Sequence, residues 1–184
     1  NLLRRTGKDD AIIFRGEDKV SRRWSWDELR AKVSRIQQLL LARGVKRGDR
    51  VAAMMPNMPE AVACMLATAS IGAIFTSASP DFGVQGVLDR FGQVEPKLLF
   101  VADGYVYNGK TIDCLDRVAE IVDRMPSVRK VVVTPYVVEE GHRLEAIRGG
   151  VLVDAFLRST ETASEIEFAR LPFNHPLVIM YSSG

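Results

Sequence analysis

The 184-residue sequence is poor in the residues that build disulfide frameworks, zinc sites and hydrolytic triads. It contains two cysteines, Cys64 and Cys114, and two histidines, His142 and His175. Two cysteines outside any paired spacing exclude a disulfide scaffold and a zinc motif, and they favour a reducing, cytoplasmic compartment. The histidines lie far apart in the sequence, and no third group is placed to complete a triad or a metal site.

Long hydrophobic runs and a strong excess of one charge are also missing. No run approaches the ~18 apolar residues that cross a bilayer, and 25 basic residues against 23 acidic ones leave a formal charge of +2. Residues 1–50 hold 14 basic and 7 acidic side chains, but few aromatic residues lie between them. This spread favours a solvated face over a nucleic-acid interface. We therefore expect neither a membrane span nor a nucleic-acid partner.

What the sequence does contain is enough apolar residues, 47%, for a buried core at this length. Short β-prone runs at residues 11–14 and 20–24 flank a polar turn and predict a hairpin near the N-terminus. Ser25 and Glu28 then form a capping box before apolar residues at helical spacing. This pattern predicts a helix over residues 26–43.

Beyond residue 50, apolar segments with strand character alternate with helical ones. The pattern predicts strands at residues 50–55, 73–76, 97–102, 130–134 and 177–180, and helices at 59–70, 84–94, 112–124 and 153–158. Such alternation is typical of parallel strands joined by crossover helices, and continuously apolar strands are typical of sheets covered on both faces. We predict an α/β fold with a doubly wound, mostly parallel sheet flanked by helices, and a short β-hairpin near the N-terminus.

One loop of this sheet matches a phosphate-binding pattern. Residues 104–111 satisfy G-x-x-x-x-G-K-S/T and lie between a predicted strand and a predicted helix. A P-loop NTPase is therefore one interpretation, with Asp154, after an apolar run, as a candidate magnesium ligand. The bulky residues Tyr105, Val106 and Tyr107 inside the loop count against it.

Two further loops could bind a ligand, because sheets of this class bind ligands at the carboxyl ends of their strands. Residues 77–83 are small and precede a helix start, which offers free N–H groups, although a plain turn with a helix cap explains them as well. Residues 181–184, Tyr-Ser-Ser-Gly, follow the last apolar strand. Hydroxyls and unhindered amides in such a run can converge on phosphate oxygens.

Several stretches together resemble the adenylate-forming acyl-CoA synthetases. They are residues 25–29 (SWDEL), 48–51 (GDRV), 55–57 (MPN), 70–73 (SIGA) and 181–184 (YSSG). Residues 79–91, 106–110 and 171–176 are similar in particular to the acetoacetate–CoA ligases of that superfamily. The resemblance is colinear over essentially the whole chain. It implies that residues 1–184 are part of an N-terminal AMP-binding domain, cut inside its phosphate loop, with the C-terminal domain absent.

The reaction that the resemblance implies is an ATP-dependent ligation in two steps. Acetoacetate attacks the α-phosphate of ATP, with Mg²⁺ present, to give an acyl-adenylate and pyrophosphate, and the thiol of CoA then displaces AMP. By the same resemblance, Ser182, Ser183 and Gly184 begin the loop over the ATP phosphates. No catalytic residue and no metal ligand is implied within these 184 residues, so the chain alone is expected to be inactive.

The resemblance also implies part of a CoA site. Ser79, Pro80 and Asp81 match a loop that lies against the CoA adenine, and Tyr107 and Lys110 match two arginines that hold the 3′-phosphate. Tyr107 brings no charge, and Lys110 brings a point charge instead of a guanidinium fork, so the sequence departs from the pattern at both positions. Two alternatives stay open at this point: another short-chain acyl-CoA synthetase, and an inactive remnant that binds CoA.

Overall fold

The computed structural model describes residues 2–17, 20–138, 141, 143–158, 160 and 165–182. Its strands are β1 (Asp10–Gly16), β2 (Val20–Ser25), β3 (Arg50–Met54), β4 (Ile74–Ala78), β5 (Leu98–Ala102), β6 (Gly104–Tyr107), β7 (Lys110–Asp113), β8 (Lys130–Thr134), β9 (Gly150–Leu152) and β10 (Val178–Ile179). Its helices are α1 (Trp26–Ala42), α2 (Pro59–Ser70), α3 (Val84–Phe91), α4 (Leu115–Asp123) and α5 (Val153–Leu157). None of the helices in the described part of the chain is long and apolar enough to cross a membrane.

Six strands form one parallel sheet in the order β10-β4-β3-β5-β8-β9. The chain runs from β3 through α2 to β4 on one side, and α3 then carries it back past β3 to β5 on the other side. This reversal of direction makes β3 a topological switch point. A crevice therefore opens at the carboxyl ends of β4, β3 and β5, where sheets of this kind bind ligands.

Helices cover both faces of the sheet, as the continuously apolar strands predicted. In β3, Val51 and Ala53 pack in one buried cluster with α1 and α2, whereas Ala52 and Met54 pack in a second cluster with α3 and α4. Successive side chains of a strand point to opposite faces. The doubly wound α/β fold predicted from the alternation is therefore confirmed. Among the described residues, the pattern missed one parallel strand, β9, a three-residue edge strand beside β8.

The N-terminal hairpin and the capped helix also match their predictions. β1 and β2 pair antiparallel, and α1 begins directly after Ser25. The Ser25 hydroxyl accepts a hydrogen bond from the Glu28 N–H at 3.2 Å, and the Glu28 carboxylate accepts one from the Ser25 N–H at 2.7 Å. Hydrogen bonds from the Ser25 backbone and side chain hold the pKa of Glu28 below its ordinary value.

The phosphate-loop interpretation is wrong, because residues 104–113 form a second hairpin. β6 and β7 pair antiparallel around a two-residue turn, Asn108-Gly109, whose φ angles are +50° and +72°. Positive φ at both turn residues gives a twist that matches the flanking strands, and Asn-Gly is the dipeptide most suited to it. The predicted helix over 112–124 consequently begins only at Leu115. A strand-to-helix phosphate loop therefore does not exist at this position.

The capping box yields a stability prediction. Replacing Ser25 by alanine removes the acceptor of the Glu28 N–H, and we expect the free energy of unfolding to fall by about 1 kcal/mol. The measurement is urea denaturation monitored by circular dichroism, with unchanged slope. Ser21→Ala, at an exposed position on β2, is the matched control and should change stability by less than ~0.5 kcal/mol. Equal effects of the two variants would contradict a capping role.

Candidate functional site

A cavity of about 440 Å³ opens at the switch point of the sheet. Three segments line it: residues 55–57 after β3, residues 77–81 at the end of β4, and residues 105–107 of β6, which follows β5. Three neighbouring strands thus contribute one wall each. The parallel register dictates this, because the carboxyl ends of parallel neighbours meet at one edge of the sheet.

The wall after β4 contains the predicted residues 79–81. Ser79 and Asp81 are exposed and Pro80 is buried. From α4, the Arg117 guanidinium donates to the Pro80 carbonyl at 2.6 Å and lies 3.3 Å from the Phe82 carbonyl. These charge-assisted contacts tie the loop to a helix that lies 35 and 37 residues further along the chain.

The opposite wall belongs to the β6–β7 hairpin. Tyr107 and Lys110 face each other directly on either side of the turn. Tyr107 is 68% exposed and lines the cavity, whereas Lys110 is exposed but does not line it. The fold therefore brings residues 79–81 and Tyr107 to one cavity and positions Lys110 beside it, on the same hairpin.

A buried carboxylate that sequence reasoning did not single out positions this hairpin. Asp103 directly follows β5, is fully buried, and accepts hydrogen bonds at 2.8 to 3.0 Å from the N–H groups of residues 136–138. Its own N–H donates to the Thr134 carbonyl, and its carbonyl accepts from the Cys114 N–H. Asp103 thereby joins β5, the loop after β8 and the start of α4. The sequence signal that could have identified Asp103 is an acidic residue immediately after five apolar strand residues.

The next residue is Gly104, and glycine is the only residue type that fits at this position. A Cβ there would collide with the Ile112 carbonyl oxygen and the Val137 side chain. Any larger residue would push β6 away from β7, because the backbone oxygen of Ile112 cannot move aside like a side-chain end, and it would also press against Val137 in the loop after β8. The glycine that began the apparent phosphate loop is therefore required for close packing.

The tip of the hairpin contacts the tip of the N-terminal hairpin. The two carboxylate oxygens of Glu17 accept hydrogen bonds from the N–H groups of Asn108 and Gly109, both at 3.0 Å. A ring of inward-pointing amides around a nucleotide phosphate would require these two donors to be free. In this structure the Glu17 carboxylate engages both of these donors.

Of the residues predicted to begin the ATP phosphate loop, Ser182 is described, and it lies at the same edge of the sheet. β10 is parallel to β4, so Ser182 emerges at the carboxyl edge, where it is exposed but does not line the cavity. Before it, the Tyr181 hydroxyl donates to the Arg90 carbonyl at 3.1 Å, which anchors the end of the strand. The predicted residues Ser183 and Gly184 lie outside the described residues.

Nucleophilic and metal chemistry find no support in the described residues. Both thiols are buried, and burial raises the pKa of Cys64 far above its ordinary value and that of Cys114 to about 11. Neither thiol is a nucleophile at neutral pH. The described ranges hold no group of three acidic, histidine or cysteine side chains that could bind a metal. His175 lies 2.9 Å from the Gly72 carbonyl, and His142 falls outside the described residues.

A doubly wound sheet with a ligand-sized cavity at its switch point defines an α/β small-molecule-binding domain. A sequence model described as AMP-binding enzyme matches residues 3–184. The chain therefore belongs to the family of AMP-binding enzymes.

Within this family, the chain is similar to particular acyl-CoA synthetases. The chain is 56% identical over its whole length to an acetoacetyl-coenzyme A synthetase of Rhizobium meliloti (strain 1021) and covers 28% of that protein. It is 39% identical, over 96% of its length and 25% of the relative, to a malonamoyl-CoA synthetase of Penicillium aethiopicum. A solved acetoacetyl-CoA synthetase from Streptomyces lividans superposes with a TM-score of 0.89 at 39% identity, covering 100% of this chain and 28% of that one. The chain thus spans little more than a quarter of the relatives that it matches.

The role of Asp103 can be tested by stability. Asp103→Ala removes a buried carboxylate and leaves the partly buried N–H groups of residues 136–138 without their acceptor, and we expect the free energy of unfolding to fall by about 3 kcal/mol. Urea denaturation measures this change. Asp123→Ala, which removes an exposed carboxylate on α4, is the matched control and should stay within ~0.5 kcal/mol of the parent protein. A similarly small loss for Asp103→Ala would contradict its role as the anchor of the hairpin.

Proposed function

We propose that this chain is part of the N-terminal AMP-binding domain of an ATP-dependent acid–thiol ligase. The ligase converts acetoacetate, ATP and CoA to acetoacetyl-CoA, AMP and pyrophosphate through an acyl-adenylate. The observation that carries this proposal is the colinear similarity of the entire chain to acetoacetyl-CoA synthetases in sequence and in fold. Two free, buried thiols are consistent with action in the reducing cytoplasm.

In the first half-reaction the protein must neutralise the charge of the ATP phosphates. Ser182, with Ser183 and Gly184, would contribute hydroxyl and amide donors to the loop over these phosphates. Mg²⁺, when bound, supplies most of the charge neutralisation. Because the described residues contain no cluster of metal ligands, we assign Mg²⁺ no ligand among them. The groups that assist adenylation belong, on this proposal, to the remainder of the ligase.

In the second half-reaction the cavity at the switch point would receive part of CoA. The loop of residues 79–81 would lie against the adenine, because small and cyclic side chains allow close approach of a flat base. Tyr107 lines the cavity with an exposed aromatic ring, which can pack against the adenosine. Within the described residues Lys110 forms no ion pair, so its ammonium group is free for the 3′-phosphate.

A second candidate is a ligase for another short-chain acid. The similarity to a malonamoyl-CoA synthetase extends over almost the whole chain, so this segment does not by itself separate the two acids. Acid-dependent exchange of pyrophosphate into ATP distinguishes the candidates, because it reports which acid is adenylated. A protein that binds CoA but exchanges no pyrophosphate with any short-chain acid would instead be an inactive CoA-binding remnant.

The proposal predicts the kinetic effect of removing Lys110. In the full-length protein, Lys110→Ala should raise the KM for CoA about fivefold, because a single exposed charge contributes about 1 kcal/mol to phosphate binding. Acetoacetate-dependent pyrophosphate exchange should stay unchanged, since that half-reaction does not involve CoA. Steady-state kinetics and isotope exchange measure the two quantities.

Lys130→Ala serves as the matched control for Lys110→Ala. Lys130 begins β8 and therefore lies at the amino edge of the sheet, opposite the cavity. We expect the control to leave the KM for CoA within twofold of the parent value. An unaltered KM for CoA in the Lys110→Ala variant, or loss of pyrophosphate exchange in that variant, would contradict the assignment of Lys110 to the 3′-phosphate.

A further inference from the structure

The two hairpin tips meet at an arrangement that is built to hold an anion. The N–H groups of Asn108 and Gly109 converge on one carboxylate, and a turn whose successive N–H groups converge in this way forms a concave nest for negatively charged oxygens. The carboxylate of Glu17 occupies this nest, with one oxygen 3.0 Å from each nitrogen. The turn therefore has the geometry of an anion-binding site, and a side chain of the same protein fills it.

Glu17 lies in the turn between β1 and β2 and has an unfavourable backbone conformation. Its φ of +42° lies in the left-handed region, which carries a steric cost for a residue other than glycine. Two charge-assisted hydrogen bonds offset such a cost. Glu17 is nevertheless exposed to solvent, so its carboxylate can leave the nest without being buried elsewhere.

The nest lies next to the position proposed for the 3′-phosphate of CoA. Tyr107 and Lys110 immediately flank the two nest residues in the chain and pair with each other across the hairpin. Lys110 is the only cationic residue in the hairpin, residues 104–113. A phosphate dianion there needs more donors, and the nearest backbone donors are engaged by Glu17. Two anions cannot share the same two N–H groups.

We propose that Glu17 is a built-in competitor of the phosphate ligand. In the free protein its carboxylate fills the nest formed by Asn108 and Gly109, and the 3′-phosphate monoester of CoA displaces it to take over the same two N–H groups beside Lys110. Binding of the phosphate therefore separates the two hairpin tips. This inference rests on the proposed function, because it takes CoA as the ligand of the adjoining cavity.

The test compares CoA with dephospho-CoA, which lacks only the 3′-phosphate, by isothermal titration calorimetry on the full-length protein. We expect Glu17→Ala to tighten CoA binding about fivefold and to leave the Kd of dephospho-CoA unchanged, because only the phosphate competes with the carboxylate. Glu17→Gln should give part of this gain, since the amide keeps one acceptor oxygen and loses the charge. Asp123→Ala, which removes an exposed carboxylate from α4, should change neither Kd by more than twofold.

Two results would overturn the inference. Weaker or unchanged CoA binding in Glu17→Ala would mean that Glu17 supports the hairpin tip and does not compete. An equal change for CoA and dephospho-CoA would mean that the phosphate is not the competing group. Separation of the hairpin tips predicts in addition that saturating CoA increases hydrogen exchange in the turn at Gly16-Glu17, whereas dephospho-CoA does not.

Failure of the proposed function has a different signature. A protein without acid-dependent pyrophosphate exchange is not the ligase, whereas calorimetry with CoA and dephospho-CoA reports on the nest without any turnover. The parent protein could prefer CoA over dephospho-CoA, with Lys110→Ala losing this preference and Glu17→Ala leaving it unchanged. This result would support the CoA subsite and contradict the competitor role of Glu17.

Discussion

The position of the cavity at the switch point depends on one buried carboxylate. Asp103 directly follows β5, and its carboxylate holds the loop after β8 through three hydrogen bonds from backbone N–H groups. Its backbone carbonyl binds the start of α4, so one residue joins three parts of the chain. Such a group is expensive to bury and is tolerated only when its oxygens are satisfied. In this protein the hydrogen bonds of the Asp103 carboxylate have a second effect, because they fix the point at which the β6–β7 hairpin leaves the sheet.

The hairpin converts a general property of the fold into a particular site. Every doubly wound sheet has a crevice at its switch point, but the crevice alone has no chemical selectivity. In this chain the hairpin adds an aromatic wall through Tyr107, a cation through Lys110 and an anion nest at its turn. The loop of residues 79–81, tied down by Arg117, forms the facing wall. The site is thus assembled from segments that are neighbours only in the folded sheet.

Most secondary structure followed from local pattern, and the exception is instructive. The helix after Ser25 and the strand over residues 130–134 were predicted because capping and hydrophobic periodicity act over a few residues. Residues 104–111 were ambiguous, since the same letters fit a phosphate loop and a hairpin with an Asn-Gly turn. The contacts that decide between them, Glu17 with the turn and Gly104 against Ile112 and Val137, join residues that are distant in sequence or across the hairpin. No local pattern contains that information.

By itself, the sequence determined the α/β class, the order of most elements and the membership in a family, because periodicity, capping and colinear motifs are properties of the chain read in order. It also nominated residues 79–81, Tyr107 and Lys110. The tertiary structure decided which of them share a cavity, which carboxylate anchors the hairpin and which one fills its nest. These are decided by long-range hydrogen bonds and by steric fit, whose partners the chain order does not reveal. The edge strand β9 also depends on the tertiary structure, because three residues form a strand only against a neighbouring strand that is already in place.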